Sequence, residues 1–568
     1  MMNHKKKIIK SSTISFEIDS FVGRIFNEPL YISDPEINID QLIISETDKL
    51  KIKEIILKTP FDPLNNYDKN VLWTNRYKLS QEPSILPKLL LCIDYKNPNH
   101  LFELEKILKK AKKLTPVQSL ELLTGKYLHE SIRNFAVICL KECTVHELQN
   151  YLIQLVQGLK FEMYHDNALA RYLLELCVKY PLTIGHCFFW SLRSEMYNKR
   201  VQQRFGLYLE VFLSKISNNL LKIFREESSL VTDLNNIAKI PKEKSSEKLF
   251  KDALRNLNKK LIDNKMEVSL PLNFKFRIKG IVIEKSKAMK SKKKPLLLYF
   301  ENADKHGENI IVLFKAGDDL RMDIVTLQLF KIMQTMWFNN DLNLKMSLYN
   351  VLSTDYYSGM LEIVKNSLTL AEIHKEEGGA FQSFRKNTLT KFFKKTGKEE
   401  NEFSENFLLS TVAYCCSTFV LGIGDRHSDN IMLKKNGELF HIDFGHFLGH
   451  FKKKLGIKRE RAPFVFTKQF QNVLGGDKGK KYLEFKNKLW SAYQILRKNS
   501  AVLITLLRIL LVTEIPELDE KSIRYLEMTL CLNGSDEEAK KFLEDKLEES
   551  MNSWSVEFNF WIHLIANK

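Results

Sequence analysis

Asn430 and Asp443 stand thirteen positions apart, and the residues between them, Ile-Met-Leu-Lys-Lys-Asn-Gly-Glu-Leu-Phe-His-Ile, read as strand, turn and strand. With Asn436-Gly437 as a two-residue hairpin loop, Lys435 pairs with Glu438 and the ladder runs back until Asn430 lies opposite Asp443. Directly opposed residues have Cβ atoms roughly 5 Å apart. An amide oxygen and a carboxylate at that separation are suited to hold Mg²⁺ on the phosphates of a nucleotide. The spacing therefore predicts Asn430 and Asp443 as a pair of metal ligands, with Phe444-Gly445 directly after the carboxylate.

Asp425 precedes Asn430 by five positions. That is the separation of the catalytic Asp and Asn in the protein-kinase loop H-R-D-x-x-x-x-N, here with the flanking order inverted to Asp425-Arg426-His427. In phosphoryl transfer a hydroxyl loses its proton while cations hold the charge of the γ-phosphate. Asp425 and His427 are both candidates to accept that proton: the spacing from Asn430 favours Asp425, whereas an imidazole has the better matched pKa near 7. Lys315 ends the apolar run Asn-Ile-Ile-Val-Leu-Phe, the place from which a strand lysine reaches the α- and β-phosphates. Between two upstream strand signals lies Ser-Lys-Ala-Met-Lys-Ser-Lys-Lys-Lys (286–294), without glycine. Such a loop cannot wrap phosphates with its backbone, so Ser291 must donate and Lys292 and Lys293 must supply charge.

Taken in order, Gly422–Met432, Phe440–His446 and Ile457–Phe464 closely resemble the phosphoinositide 3-kinase catalytic subunits, class I in particular. The likeness extends upstream through Phe314–Asp323, Met360–Ser367 and Lys160–Leu174, and covers nearly everything from about Pro60 onward. It implies a multidomain α+β chain: an α-solenoid helical domain followed by a bilobal, protein-kinase-like catalytic domain that uses ATP and Mg²⁺. It also implies roles. Met289, Ser291 and Lys292 form the phosphate-binding loop; Asp318, Asp323 and Tyr349 line the inner pocket; Glu362 and Val364 form the hinge that reads adenine; Met432 and Ile442 pack under the base. The resemblance places His427 as base or γ-phosphate contact with Asp425 orienting it, and His446 as a second γ-phosphate contact.

The substrate is expected to be read by Lys452, Lys453, Lys454, Lys458, Arg459 and Arg461, which lie between Phe451 and Pro463 with Glu460 as the one acidic residue. A ring phosphate carries about −1.5 to −2 charges, so two basic patches suit an inositol head group phosphorylated at positions 4 and 5. Class I members carry both patches. Ala462–Thr467 and the turn Gly475-Gly476-Asp477 lean instead toward class II, and Met322 and Leu297 stand where the family commonly has Gln and Trp.

The elements that must position these residues show in the hydrophobic pattern. The 568 residues exceed what one core usually holds, so two or three domains are expected. Residues 1–45 alternate apolar and polar, which predicts short strands, a possible remnant of a lipid-binding C2 domain. Residues 46–225 show helical periods broken by Pro and Asn, the pattern of stacked helix pairs. A charged helical linker (226–270) leads to a catalytic domain (271–568) that opens with strands and is dominated by helices after Thr388.

Charge and cysteine usage narrow the partners. Lys plus Arg (87) less Asp plus Glu (69) leaves +18, which implies an acidic partner: nucleic acid, an anionic membrane face or a phosphorylated substrate. We expect a cytoplasmic protein recruited peripherally to a membrane carrying phosphoinositide lipid, with no nucleic-acid partner. No adaptor-binding or Ras-binding module is visible, and a regulatory subunit is left open. The longest apolar stretch, Ala501–Val512, carries Arg508 and is too short to span a bilayer. Eight cysteines without a Cys-x-x-Cys suggest reduced thiols and no zinc site. Trp554, Phe558, Trp561, Ile562 and Ile565 at near-helical spacing suit an interfacial helix or packing on the catalytic domain. Large protein kinases related to lipid kinases and a catalytically dead scaffold are the competing functions. The first lack the basic patch, and the intact Lys315, Asp425, His427, Asn430 and Asp443 argue against the second.

Overall fold

The computed structural model describes residues 38–57, 62–240, 246–263, 267–291, 293–379, 382–383, 385–395, 397, 400–450, 453–454, 457–458 and 462–552. The expected strands of residues 1–37, the phosphate-loop Lys292, the head-group residues Lys452, Arg459 and Arg461, and the aromatic C-terminal segment lie outside the described residues. Where the N-terminal prediction can be compared, it is corrected: Ile39–Gln41 is a short 3-10 turn, not a strand. The Asn38 side chain accepts the Asp40 N–H and so offers the backbone a turn in place of a ladder.

From Glu46 onward the chain is helical. Helix starts are written in the sequence as capping boxes: Thr115 with Gln118 before Pro116–Leu122, and Thr144 with Glu147 before Val145–Gly158, each satisfying two otherwise orphaned N–H groups. Helices pack in pairs, Glu130–Leu140 against Ala168–Lys179 and His186–Ser194 against Lys199–Lys215. Two buried ion pairs cross the stack, Arg133 with Glu162 (2.6 Å) and Lys160 with Glu195 (2.5 Å). Helix Asn218–Ile237 packs on Ser246–Asp263 and on the first strand, joining the helical stack to the sheet.

The sheet begins with β1 (Val268–Leu270), β2 (Asn273–Ile281), β3 (Lys287–Ala288), β4 (Leu296–Asn302) and β5 (Ile310–Ala316), and continues after helix Arg321–Phe338 with β6 (Val351–Asp355) and β7 (Ser358–Glu362). It is antiparallel in the order β1-β2-β4-β5-β7-β6, with β3 paired to β4. β4 and β5 bury every second residue, Leu296, Leu298 and Phe300 on one and Ile310, Val312 and Phe314 on the other, as a half-covered sheet requires. A second, small sheet of β8 (Ser367–Thr369), β9 (Ile431–Lys434) and β10 (Leu439–His441) follows below it.

Helices build the rest. Glu400–Val420 packs on Lys480–Lys498 and on β10, burying Cys415 and Cys416, whose thiols are pushed upward in pKa by that burial. The apolar run around Arg508 forms helix Ser500–Leu510, which packs on Pro116–Leu122 and Val145–Gly158 and so docks the helical stack against the lower lobe. No described helix is long and apolar enough to cross a membrane.

Candidate active site

The hairpin that carries the proposed metal ligands is present, one register away from the expected one. β9 and β10 pair Leu433 with Leu439 and Ile431 with His441, so Asn430 faces Ile442, whose N–H donates to the Asn430 carbonyl at 3.0 Å. The loop is the three residues Lys435-Asn436-Gly437, closed by Gly437 N–H to Lys434 O (3.0 Å) and Lys434 N–H to Glu438 O (2.9 Å). A two-residue turn of the expected type needs positive φ at both central residues. Here Gly437 alone has it, at +97°, and a Cβ there would stand 2.4 Å from the Phe403 carbonyl oxygen. Asn406 Nδ2 donates to the Asn436 carbonyl and fixes the loop from the helix side. Asp443 therefore follows the Asn430–Ile442 pair instead of opposing Asn430, and leaves the ladder on left-handed backbone (φ +62°).

Asp425 is left-handed too (φ +57°), so both candidate catalytic carboxylates sit on backbone that non-glycine residues adopt rarely. Two side chains hold this geometry. Asn430 is 4% exposed; its Oδ1 accepts the His427 N–H at 2.9 Å and its Nδ2 donates to the Asp425 carbonyl. Arg426, 6% exposed, donates to Gly424 O (2.9 Å), Ile442 O (2.8 Å) and Asp443 O, tying the catalytic loop to the segment after β10. Its guanidinium also lies 5.6 Å from the Phe444 ring centre. An arginine between Asp425 and His427, with no role of its own in the motif, is the signal for this main-chain clamp.

The two histidines are oriented oppositely. His427 Nδ1 accepts the Asp429 N–H at 3.3 Å, and an amide can only donate, so the neutral ring carries its proton on Nε2. His446 Nδ1 lies 2.7 Å from Glu517 Oε1, and a carboxylate can only accept, so Nδ1 carries a proton and, in the neutral ring, Nε2 is the basic nitrogen. The His446 carbonyl accepts the Gly424 N–H at 2.9 Å, locking the ring's backbone to the catalytic loop.

On the sheet side, Lys315 is 13% exposed and Asp318 Oδ2 stands 3.9 Å from its Nζ. Burial pulls the Lys315 pKa down, but the carboxylates of Asp443, Asp323 and Asp318 outweigh it and the net shift is upward. Lys293 of the phosphate loop contacts Asp318 Oδ1, while Ser291 and Met289 are exposed near it in sequence. Asp323, on the first turn of Arg321–Phe338 and fully buried, accepts the Phe444 N–H at 3.1 Å. Burial, with Asp443 and Asp318 adding repulsion, pushes its carboxyl up to about 6 against the pull of Lys315. Tyr349 is 8% exposed, and its buried hydroxyl lies beside Asp323 and the Asp443 backbone. Lys315, Asp323, Tyr349 and Asp443 thus face one another.

Glu362 ends β7. Its N–H donates to Asn350 O (2.9 Å) and its carboxylate accepts from Asn350 N (3.1 Å), so the side chain braces the end of β7. The Val364 carbonyl accepts from Ser367 Oγ at 2.7 Å. Met432 and Ile442 are half-buried on the hairpin below. Of the head-group residues, Lys453, Lys454 and Lys458 lie on a two-residue ladder, Lys453 opposite Lys458.

The donor set suits a hard divalent cation. Asp443 is exposed and its carboxylate accepts no hydrogen bond among the described residues, while Asn430 Oδ1 has spent one of two lone pairs. Oxygen-only ligands of this kind fit Mg²⁺.

A model described as the phosphoinositide 3-kinase family accessory (PIK) domain matches residues 40–225, and one described as phosphatidylinositol 3- and 4-kinase matches residues 309–520. The chain is 38% identical over 517 residues to phosphatidylinositol 3-kinase 1 of Dictyostelium discoideum, covering 90% of this chain and 33% of that protein. It is 37% identical over 518 residues to phosphatidylinositol 3-kinase 2 of that organism, covering 90% and 28%, and 36% identical over 542 residues to phosphatidylinositol 3-kinase 3, covering 94% and 32%. The chain spans about a third of the length of these curated relatives. With a PIK domain stacked against a catalytic lobe whose loop, hairpin and buried lysine converge on one cleft, the chain belongs to the phosphoinositide 3-kinase family.

Proposed function

We propose that this chain is the catalytic part of a phosphatidylinositol 3-kinase that transfers the γ-phosphoryl group of ATP to the 3-hydroxyl of phosphatidylinositol 4,5-bisphosphate at a membrane surface. The observation that carries the reaction is the convergence of Lys315, Asp323, Asn430 and Asp443 around the catalytic loop. Lys315 binds the α- and β-phosphates, and Asp323 holds the Phe444 N–H so that Asp443 stays at the cleft. Asn430 and Asp443 would hold Mg²⁺, which when bound would neutralise charge developing on the transferred phosphoryl group. His427, protonated at Nε2, donates to a γ-phosphate oxygen. His446, unprotonated at Nε2, accepts the proton of the attacking hydroxyl. Asp425 orients that hydroxyl.

The lipid assignment rests on the six cations between Phe451 and Pro463. Each charge-assisted contact to a ring phosphate contributes roughly 1.5–3 kcal/mol. Neutralising Lys458, Arg459 and Arg461 together should lower phosphorylation of the bisphosphate by orders of magnitude and leave that of phosphatidylinositol nearly unchanged, measured on mixed vesicles. Equal loss on both lipids would make the loop structural. A wild-type preference for phosphatidylinositol or its 4-phosphate would move the chain to a class II- or class III-like specificity.

A further inference from the structure

The carboxylate that orients His446 comes from Glu517, in the connection between helices Ser500–Leu510 and Glu520–Thr529, seventy-one positions beyond the histidine. Nothing in its local sequence marks it as part of a catalytic site. Three observations set it apart. Its Oε1 is 2.7 Å from His446 Nδ1. Its Oε2 is buried and has no hydrogen-bond partner among the described residues. Its backbone is left-handed, with φ +69°. A side chain that served only to pin two segments would be expected to satisfy both oxygens on relaxed backbone, because an orphaned buried oxygen and a left-handed non-glycine residue each cost stability. The connection is also held rigidly: the Glu517 carbonyl accepts from Ser522 Oγ (2.9 Å), and Leu518 N–H donates to Ile515 O (3.1 Å). The carboxylate is therefore delivered to the imidazole by a fixed turn.

We propose that Glu517 is a positioning residue for phosphoryl transfer, fixing the Nδ1–H tautomer of His446 and stabilising the imidazolium formed during the reaction; this rests on the kinase function proposed above. In the step, the inositol O–H bond breaks as its oxygen bonds to the γ-phosphorus, and the bond from γ-phosphorus to the β-bridging oxygen breaks as ADP leaves. The proton passes to His446 Nε2, so that ring becomes a cation whose Nδ1–H faces the Glu517 carboxylate. After product leaves, Nε2 returns its proton to water. The same logic holds a histidine by a carboxylate in hydrolase triads, where the carboxylate selects the tautomer and does not itself take the proton.

The test uses the full chain on vesicles containing whichever phosphoinositide the wild type phosphorylates. Glu517→Gln should lower kcat by about tenfold or more with the KM for ATP little changed. The acid limb of the kcat–pH profile should move to lower pH, because loss of the carboxylate makes the imidazolium easier to deprotonate. The other titratable groups on the packed elements, Asp425 and His427 on the catalytic loop, Asp443 before the histidine, His450, and Glu514 and Asp519 beside Glu517, are unchanged in the variant. Glu517→Asp should restore part of kcat and of the limb, and adding Glu517→Gln to His446→Gln should cost little more than His446→Gln alone. An unmoved limb, or losses that multiply in the double variant, would overturn the proposal and leave Glu517 as a structural contact. The ¹⁵N shifts of the His446 ring test it without turnover. The wild type should show a protonated Nδ1 and a bare Nε2, and the reverse tautomer would also overturn it. Absence of any lipid kinase activity in the wild type would instead refute the kinase function, while the ring shifts would still report on the contact.

Discussion

Two histidine–glutamate pairs, one in the helical stack and one in the cleft, use the same groups to different ends. In the stack, His186 and Glu227 are 4% and 0% exposed, and both carboxylate oxygens are used: His186 Nε2 lies 3.2 and 3.0 Å from them and Trp190 Nε1 donates to Oε2 at 3.1 Å. In the cleft, the His446 and Glu517 side chains are 26% and 23% exposed, one oxygen is orphaned, and the glutamate stands on left-handed backbone. The first pair is arranged for stability: every polar atom that burial strips of water is repaid by a partner. The second leaves a carboxylate oxygen unsatisfied among the described residues, which is how a scaffold differs from a site.

Substitutions can break that contrast, starting with the largest effect. Asp443→Ala removes an open carboxylate that holds the metal, where such terms are worth several kcal/mol of barrier. Phosphoryl transfer should fall by at least about three orders of magnitude, with thermal unfolding close to that of the wild type; substantial turnover with Mg²⁺ would reject the metal assignment. Glu227→Ala should do the opposite. It strands a buried imidazolium and an indole N–H, so urea unfolding should show a loss of about 3 kcal/mol while the KM for ATP stays put.

A smaller effect comes from pH. Burial opposes the charged His186 ring, but Cys187 and the Glu227 carboxylate outweigh it and raise the pKa from 6.5 to about 9. The folded state thus binds the proton more tightly than the unfolded state. The pair's stabilisation is fully present below pH 6.5 and is lost as pH rises through about 9. Relative to His186→Gln, the wild type should lose on the order of 2 kcal/mol between pH 6 and pH 9.5. Parallel stability curves for the two proteins would show that the ring is neutral in the fold.

Much of the cleft was legible from motifs. Lys315 ends a strand, Asp323 lies in the first turn of a helix, and Asp425, His427 and Asn430 share one loop; spacing singled out all but Asp323, which came from the family resemblance. The hairpin register was not legible, because Lys-Asn-Gly-Glu satisfies a two-residue loop and a three-residue loop equally well. The choice was made by tertiary contacts, Phe403 against Gly437 and Asn406 on the Asn436 carbonyl. Arg426 and Glu517 escaped for a related reason. One acts through main-chain carbonyls of the segment after β10 and the other through a ring seventy-one residues upstream, and neither distance is encoded by local spacing. The stacked helices could be read from their capping residues and periods, since those signals are local.

The position of the transferred phosphate tests the account most directly. Wild-type chain and the Asp443→Asn variant would be incubated with Mg²⁺, γ-³²P-labelled ATP and vesicles containing phosphatidylinositol 4,5-bisphosphate, and the deacylated products separated by chromatography. The account predicts label on the 3-position of the ring with the wild type and none above background with the variant. Label at another ring position, label on protein instead of lipid, or equal lipid labelling by the variant would contradict it.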